Sequence, residues 1–331
     1  MKRAMKRSRL AVRTAMMVGL ATAAVAVAAC GSSQSGSAPS GSGGHITVGV
    51  MIKDTTQPFW SPVMAGYKKM AAQYGWTMDL RNGQSNPATE VAAVQQFITD
   101  KVNMIFVSPD TPTGLIPVIA QANAAGIPVI VVNSAVAKGA KILSFVGASD
   151  PQYGQALGKA VVSALGPGGG NIAVIRGKPG DSPDTLREQG LMSVLSKHPK
   201  IHVLSQQPAN WQNALALSVT QNFLTKYPGS RLQAIVDFGP EGYEGAEYAQ
   251  KAGRHVKFIV GDYPLQVRSA IESGAIYAAV DQDPEIQSET AMQLAHDYLT
   301  GNKAAVPAVD YLPLPVITKA NVARYPARWN D

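Results

Sequence analysis

The chain has 331 residues, 46% of them hydrophobic, so it is long enough to bury a large core and to divide into two lobes. Its formal net charge of +7 is concentrated at the amino terminus: residues 1–29 contain six of the 29 basic residues and no acid, which leaves 23 basic against 22 acidic residues. A body with nearly balanced charge has no electrostatic footprint for nucleic acid, which excludes a basic nucleic-acid-binding surface.

Residues 1–29 have the layout of a secretory signal peptide, with a basic segment followed by an apolar run over 15–29. The run is too short to span a bilayer, which takes about 20 residues. It ends at Cys30, the only cysteine, in a stretch Val27-Ala28-Ala29-Cys30-Gly31 that resembles a bacterial lipobox. In a lipobox the cysteine is lipidated and becomes the first mature residue; the alternative is a chance cysteine in a small-residue cleavage region. A lone thiol also excludes an internal disulfide.

Residues 30–44 are predicted to be a flexible tether, because 31–44 contain only Gly, Ser, Ala, Pro and one Gln. A lipidated cysteine, a tether and a globular body predict an extracytoplasmic protein that is lipid-anchored to the outer face of the cell membrane.

Strand-like and helix-like segments alternate along the rest of the chain. The predicted strands are 46–52, 76–81, 104–107, 129–132, 143–147, 172–175, 201–205, 234–238, 257–260 and 276–280. The predicted helices start at Trp60 and Asn86 and then cover 113–124, 152–165, 185–196, 213–227, 241–251, 265–273 and 285–300. Two βα series of similar size predict an α/β fold of two doubly wound, Rossmann-like lobes with parallel sheets, whose ligands bind at the carboxyl ends of the strands.

The turn 53–60 joins the first predicted strand to the first helix, and it contains the adjacent aromatics Phe59 and Trp60. On local sequence alone, the two rings either pack the following helix in place or face a ligand.

Eight segments of the chain, in sequence order, resemble motifs of the type I periplasmic sugar-binding family, the ribose- and galactose-binding group of ABC-transporter receptors. These segments are Gln57-Pro58-Phe59-Trp60, Asn86-Pro87, Gly126-Ile127-Pro128-Val129-Ile130, Arg187-Glu188-Gln189-Gly190, Gln207-Pro208-Ala209-Asn210-Trp211, Gln221-Asn222-Phe223-Leu224, Val260-Gly261-Asp262 and Asp281-Gln282-Asp283-Pro284. The resemblance implies two lobes joined by a three-strand hinge, the first formed by 45–150 and 283–309 and the second by 151–282 and 310–331. It favours a ligand role for Phe59 and Trp60.

The residue types fit this resemblance, because a sugar has apolar faces and a rim of hydroxyl groups. Flat aromatics stack on the faces, and carboxylates, amides and a guanidinium bind the rim. The candidate ligand-binding residues are Lys53, Gln57, Phe59, Trp60, Ser108, Asn133, Arg187, Trp211, Asp237, Asp262 and Gln282. The alternative for Arg187 is a surface ion pair with Asp184 or Glu188, and for Gln282 a plain hinge role.

Two positions depart from the family pattern. Asn133-Ser134 stands where ribose and galactose binders typically have an Asp-Arg pair, and Gly239-Pro240 stands where they have an Asn-Asp pair. Lys53, Asp54 and Asp237 are candidates for compensating charges. The ligand therefore stays open between a pentose, a hexose, a polyol, an amino or modified sugar and a furanosyl signal of the autoinducer-2 type.

Rival functions have weaker support. Sugar-responsive repressors share the fold but need a helix-turn-helix before the first strand, where this chain has the apolar signal and the tether. No Gly-x-Ser-x-Gly elbow or phosphate-binding loop occurs, Asp181-Ser182-Pro183 is interpreted as a turn, and the five histidines are scattered. An enzyme, a metal site and a cofactor are therefore not expected.

The sequence thus predicts a monomeric, lipid-anchored solute-binding protein that closes on a small sugar or polyol and docks on an ABC permease in the membrane. A ligand sensor that signals to a membrane receptor is the alternative. Trp60→Ala and Arg187→Ala are each expected to weaken binding without unfolding the protein.

Overall fold

The structure is a computed structural model that describes residues 45–331. The predicted signal peptide, Cys30 and the tether lie outside these residues. From residue 45 onward, most strands are followed by a helix, as the sequence pattern predicts.

The elements up to residue 165 are strands β1 (Thr47–Ile52), β2 (Thr77–Asn82), β3 (Met104–Ser108), β4 (Val129–Val132) and β5 (Ser144–Gly147) and helices α1 (Trp60–Tyr74), α2 (Pro87–Thr99), α3 (Ile116–Ala124) and α4 (Asp150–Leu165). The later strands are β6 (Gly170–Arg176), β7 (Ile201–Pro208), β8 (Ala234–Asp237), β9 (Lys257–Gly261), β10 (Ile276–Val280), β11 (Val309–Tyr311) and β12 (Val316–Thr318). The later helices are α5 (Ser182–Leu195), α6 (Asn213–Lys226), α7 (Tyr243–Lys251), α8 (Leu265–Ser273) and α9 (Pro284–Leu299).

The strands form two six-stranded sheets, in the orders β11-β5-β4-β3-β1-β2 and β12-β10-β9-β8-β6-β7. All neighbours are parallel except β12, which pairs antiparallel with β10. Strands β3, β4, β5 and β8 are buried along their whole length and are mostly apolar, as is typical of strands covered by helices on both faces. The predicted fold class of two doubly wound α/β lobes is confirmed.

Each sheet has a core on both of its faces. In the first lobe, α1 and α9 cover one face, and α2 and α3 cover the other. In the second lobe, α4 and α5 cover one face, and α6, α7 and α8 cover the other. Helix α9 follows the last strand of the second βα series but packs in the first lobe, so the chain returns there before its end.

Three short segments cross between the lobes: from Gly147 to Asp150, from Val280 to Pro284 and from Tyr311 to Val316. The last crossing lies later than predicted. Asp310 and Tyr311 pair with Val146 and Gly147 in the first sheet, whereas the sequence assigned 310 onward to the second lobe. Strand β11 is short and exposed on an edge, so it lacks the apolar alternation that reveals a strand.

Two helix starts also differ from the prediction. Helix α3 begins at Ile116, after a turn in which Ile116 N–H donates to the carbonyl of Thr113 (3.2 Å). Helix α5 begins at Ser182, so Asp181-Ser182-Pro183 is a helix start and not a free turn; proline is favoured in the first helical turn, where its missing N–H costs nothing. Among residues 45–331, no helix has both the length and the apolar character needed to cross a bilayer.

Candidate ligand-binding site

A cavity lies between the lobes, at the carboxyl ends of strands from both sheets. In open α/β sheets this is where ligands bind, because the loops and helix starts that follow the strands converge there. The residues that line it are Lys53, Gln57, Pro58, Phe59, Trp60, Asn133, Pro183, Arg187, Trp211, Pro240, Glu241, Asp262, Gln282 and Asp331.

The turn between β1 and α1 supplies the aromatic wall of the first lobe. Trp60 N–H donates to the carbonyl of Gln57 (3.1 Å), which closes the turn and places Trp60 at the first position of α1. The rings of Phe59 and Trp60 meet edge to face, with centroids 5.2 Å apart. Trp60 is only 1% exposed and packs in the first-lobe core. The two alternatives for this turn therefore both apply to Trp60, which packs in the first-lobe core and also lines the cavity.

Lys53 is buried and pairs across the cleft. Its Nζ lies 2.5 Å from Asp181 Oδ2 and donates to Ser134 Oγ (3.2 Å). Trp211 Nε1–H donates to the same oxygen of Asp181 (3.0 Å). One second-lobe carboxylate therefore fixes a first-lobe cation and orients the indole of Trp211. Asp181 was not among the residues predicted to bind or position a ligand.

The amide groups of three residues meet beside the middle crossing. Asn133 follows β4 with a positive φ of 67° and donates through Nδ2 to Gln287 Oε1 (3.2 Å) and, more weakly, Gln282 Oε1 (3.5 Å). Asparagine is among the residues that tolerate this left-handed backbone. These hydrogen bonds link the ends of β4 and β10, which belong to different lobes. Gln282 lines the cavity and also lies in a crossing segment, so both alternatives considered for it apply.

Arg187 lies on α5 and is the most enclosed cation of the cavity wall. Its Nε donates to Asp150 Oδ1 (2.9 Å), one Nη donates to the carbonyl of Phe238 (2.7 Å), and its guanidinium carbon lies 3.8 Å from the centroid of the Tyr153 ring. Burial alone would lower its pKa, but the surrounding Tyr153 and Asp150 hold the pKa above its ordinary value.

The surface ion pair proposed as an alternative for Arg187 does not form. Asp184 and Glu188 both pair with Arg176 instead, at 2.6 and 2.7 Å. Helices α4 and α5 also approach too closely at this point for larger residues: a Cβ on Gly154 would lie 2.0 Å from the carbonyl oxygen of Arg187. This close packing fixes the helix turn that carries Arg187.

Asp262 sits in the turn after β9 with a positive φ of 55°. Its N–H donates to the carbonyl of Val280 (2.8 Å), and its Oδ1 accepts the hydroxyl proton of Tyr153 (2.9 Å). Burial raises the pKa of its carboxyl group to about 6, although Arg187 acts in the opposite direction.

Trp211 is held in an unusual backbone conformation, with a φ of 60° after a φ of 54° at Asn210. Its ring lies directly over Gly177, where a Cβ would come within 1.9 Å of the indole. A positive φ in a bulky residue is a true outlier, and such strain is found where the surrounding structure fixes a functional side chain.

Two predicted ligand-binding residues do not line the cavity. Ser108 ends β3 and is 1% exposed. Asp237 ends β8, but its Oδ1 accepts from Gly239 N–H (3.2 Å) and its Oδ2 packs against Gly242. Asp54, considered as a compensating charge, instead accepts a hydrogen bond from its neighbour Thr56 (3.0 Å). A strand's carboxyl end gives the right edge of the sheet, but the turn decides which side chain reaches the ligand.

Five cavity residues were not among the predicted ligand-binding residues: Pro58, Pro183, Pro240, Glu241 and Asp331. Glu241 was visible in the sequence as a flank of Gly239-Pro240. Asp331 carried no local signal, since its position depends on how the last residues pack.

The chain is similar to known proteins over most of its length. The sequence profile described as "Periplasmic binding protein domain" matches residues 48–303. The chain is 30% identical to the Fructose import binding protein FruE of Bifidobacterium longum, over 86% of this chain and 88% of that protein. It is 27% identical to the Ribose import binding protein RbsB of Escherichia coli, over 78% of this chain and 86% of that protein.

Solved structures show the same architecture. The Caulobacter myo-inositol binding protein bound to myo-inositol superposes with a TM-score of 0.78 at 27% identity, covering 85% of this chain and 96% of that one. The curated relatives are sugar-binding transport proteins and not enzymes, which agrees with the expectation that this chain is a binding protein.

Proposed function

The chain belongs to the periplasmic binding protein family, and from that premise we propose that it is the extracytoplasmic solute-binding protein of a carbohydrate ABC importer. It captures one small sugar or polyol between its lobes and presents the closed form to a membrane permease.

The observation that carries this proposal is the composition of the cavity wall. Both lobes contribute to it, with three aromatic side chains and a rim of amide, carboxylate and basic groups. Aromatic faces suit the C–H surface of a polyol, and groups that donate and accept suit its hydroxyls. Of the two basic groups, Lys53 is already paired with Asp181 and Arg187 with Asp150, which favours a ligand without a large negative charge.

The size of the cavity limits the ligand. Its volume is about 50 Å³, on the measure in which one water molecule needs about 10–15 Å³. This is room for roughly three to five waters, which a single monosaccharide or small polyol can displace. An oligosaccharide does not fit between the closed lobes.

Contacts across the cleft stabilise the closed form. Besides Lys53 and Asp181, Lys178 of the second lobe lies 2.7 Å from Asp110 of the first. Ala135 N–H also donates to Ser182 Oγ (2.9 Å) across the cleft. A ligand that touches both walls adds contacts that exist only in the closed form, so it shifts the population toward that form.

The cellular setting is part of the proposal. The lipobox-like stretch supports a lipid on Cys30, and residues 30–44 would act as the tether between the membrane and the binding protein. The permease is the proposed partner, and a monomer is the proposed state.

Thermal unfolding of the purified protein against D-ribose, D-allose, D-fructose, xylitol and myo-inositol tests the proposal. A ligand at a hundred times its Kd stabilises by about 2.7 kcal/mol, which is several degrees for a chain of this size. We expect at least one of these compounds to produce that shift and sucrose, at the same millimolar concentration, to produce none. No shift from any of the five would contradict the proposal.

A further inference from the structure

The last described residues return to the cleft after β12. Val322 packs in the second-lobe core, with Tyr325 and Ala327 against it. The hydroxyl of Tyr263 donates to the carbonyl of Tyr325 (3.1 Å). The path of the chain toward the cavity is therefore fixed by the second lobe.

Residues 328–331, here called the tail, are held in place by hydrogen bonds to their backbone and to the side chain of Asp331. Leu265 N–H donates to the carbonyl of Trp329 (2.8 Å). Gln266 makes two bonds with Asp331, accepting from its N–H (3.0 Å) and donating to its carbonyl (2.8 Å). Asn213 Nδ2 donates to Asp331 Oδ2 (2.9 Å). Four hydrogen bonds thus set the direction of the Asp331 side chain.

The tail also reaches the first lobe and the hinge. The ring of Trp329, 6% exposed, meets Phe59 edge to face with centroids 6.0 Å apart. Arg328 lies 3.4 Å from Asp283, which caps α9 next to the middle crossing. The tail therefore contacts the aromatic wall that faces the ligand from the opposite lobe.

Asp331 lines the cavity. Asn213 binds Oδ2, and no donor within residues 45–331 is placed on Oδ1. Burial raises the pKa of this carboxyl group to about 6, with Asn213 acting in the opposite direction, so the group is mainly ionised at neutral pH. Asp331 thus offers a free, oriented acceptor.

We propose that the tail is a third wall of the ligand site, in which Asp331 accepts a hydrogen bond directly from a ligand hydroxyl and so helps to decide which polyols bind. Trp329 keeps Phe59 in place opposite that carboxylate. The inference rests on the proposed function for its ligand, but the placement of the tail can be tested without one.

The ligand test uses the polyol from the panel above that binds, together with its monodeoxy derivatives, in calorimetric titrations. Asp331→Ala should weaken binding by about 10- to 100-fold, since a hydrogen bond to a charged group has about that effect. One deoxy derivative should lose affinity in the wild type but not in Asp331→Ala. The control Asp100→Asn, an exposed acid at the end of α2, should bind as the wild type does.

A purely structural role for Asp331 would give a different pattern. Every deoxy derivative would then lose the same factor in both proteins, and the inference would be wrong while the proposed function stood.

The ligand-free test compares acrylamide quenching of tryptophan fluorescence in Trp329→Phe and in a variant ending at Ala327, which have the same tryptophans. Removing the tail should raise quenching, because it uncovers Trp60 and Trp211 at the cavity. Unchanged quenching would contradict the tail as a wall. If no compound of the panel binds but quenching rises, the proposed function fails and the tail wall stands.

Discussion

At the scale of single residues, Arg187 shows what the structure adds to the sequence. The sequence placed it in the site and expected Arg187→Ala to weaken binding alone. Its guanidinium is only 3% exposed and pairs with the equally buried Asp150. Removing one partner of such a pair leaves an uncompensated buried charge, which costs about 3–5 kcal/mol.

We therefore predict that Arg187→Ala loses both ligand affinity and stability, by about 3–5 kcal/mol in urea unfolding. Arg268→Ala is the matched control: Arg268 pairs on the surface of α8 with Glu272, four residues on. Such pairs contribute roughly 0.3–0.5 kcal/mol. Equal stability losses in the two variants would contradict the assigned role. Trp60→Ala is likewise expected to lose both ligand affinity and stability, because the ring of Trp60 is part of the first-lobe core.

Asp262 makes the pH dependence of stability testable. Burial raises its pKa from 3.8 to about 6 in the folded protein, with Arg187, Gln282 and Tyr153 acting against burial and Asp150 with it. Because the pKa of Asp262 is higher in the folded protein than in the unfolded chain, protonation of Asp262 stabilises the folded protein. This stabilisation is complete below about pH 4 and is lost as the pH rises to about 6.

We predict that the free energy of unfolding of the wild type, relative to Asp262→Asn, falls between pH 4 and 6 by up to roughly 3 kcal/mol. Asparagine tolerates the positive φ at this position, so the substitution leaves the turn intact. Denaturant titrations at pH 4, 5, 6 and 7 measure the difference. A constant difference over this range would show that Asp262 titrates normally.

The sequence could identify many of the cavity residues, because they lie in turns with local signals. Gln57, Phe59 and Trp60 sit in one strand-to-helix turn, and Asp262 follows a buried strand directly. Asp331 could not be found this way, since it reaches the cavity through Gln266 and Asn213, which are far away in the sequence. Ser108 and Asp237 share the same position at a strand end, and only the turn geometry shows that they point elsewhere.

At the scale of elements, the turn after β6 controls the ring of Trp211. Gly177 lies beneath that ring, and a Cβ there would meet the indole at 1.9 Å. Gly168, in the same lobe, has nothing within 4 Å of a Cβ and no positive φ.

We predict that Gly177→Ala displaces Trp211 and weakens ligand binding about tenfold or more, since a displaced wall residue loses its stacking contact. Gly168→Ala should bind as the wild type does. Titration of both variants with the same polyol measures the effect. Wild-type affinity in Gly177→Ala would mean that Trp211 does not hold the ligand.

The strands themselves were predictable to within a few residues, because each central strand is a continuous apolar run covered on both faces. Strands β11 and β12 were not, since each has three residues and forms only after the chain has crossed between the lobes. Such edge strands form by pairing with strands that lie far away in the sequence, so the local sequence does not predict them.

At the scale of the whole molecule, the two lobes form the cavity together. Lys53 and Asp181 meet across the cleft at 2.5 Å, and the cavity takes aromatic side chains from both sides. Phe59 belongs to the first lobe and Trp211 to the second, so each can be removed without touching the other's wall.

The most direct measurement is a calorimetric titration of the bound polyol into the wild type, Phe59→Ala, Trp211→Ala and the double variant. Each single variant should weaken binding about tenfold and the double variant about a hundredfold, because each ring contributes a separate stacking contact. Wild-type affinity in either single variant would contradict the claim that both lobes hold the ligand.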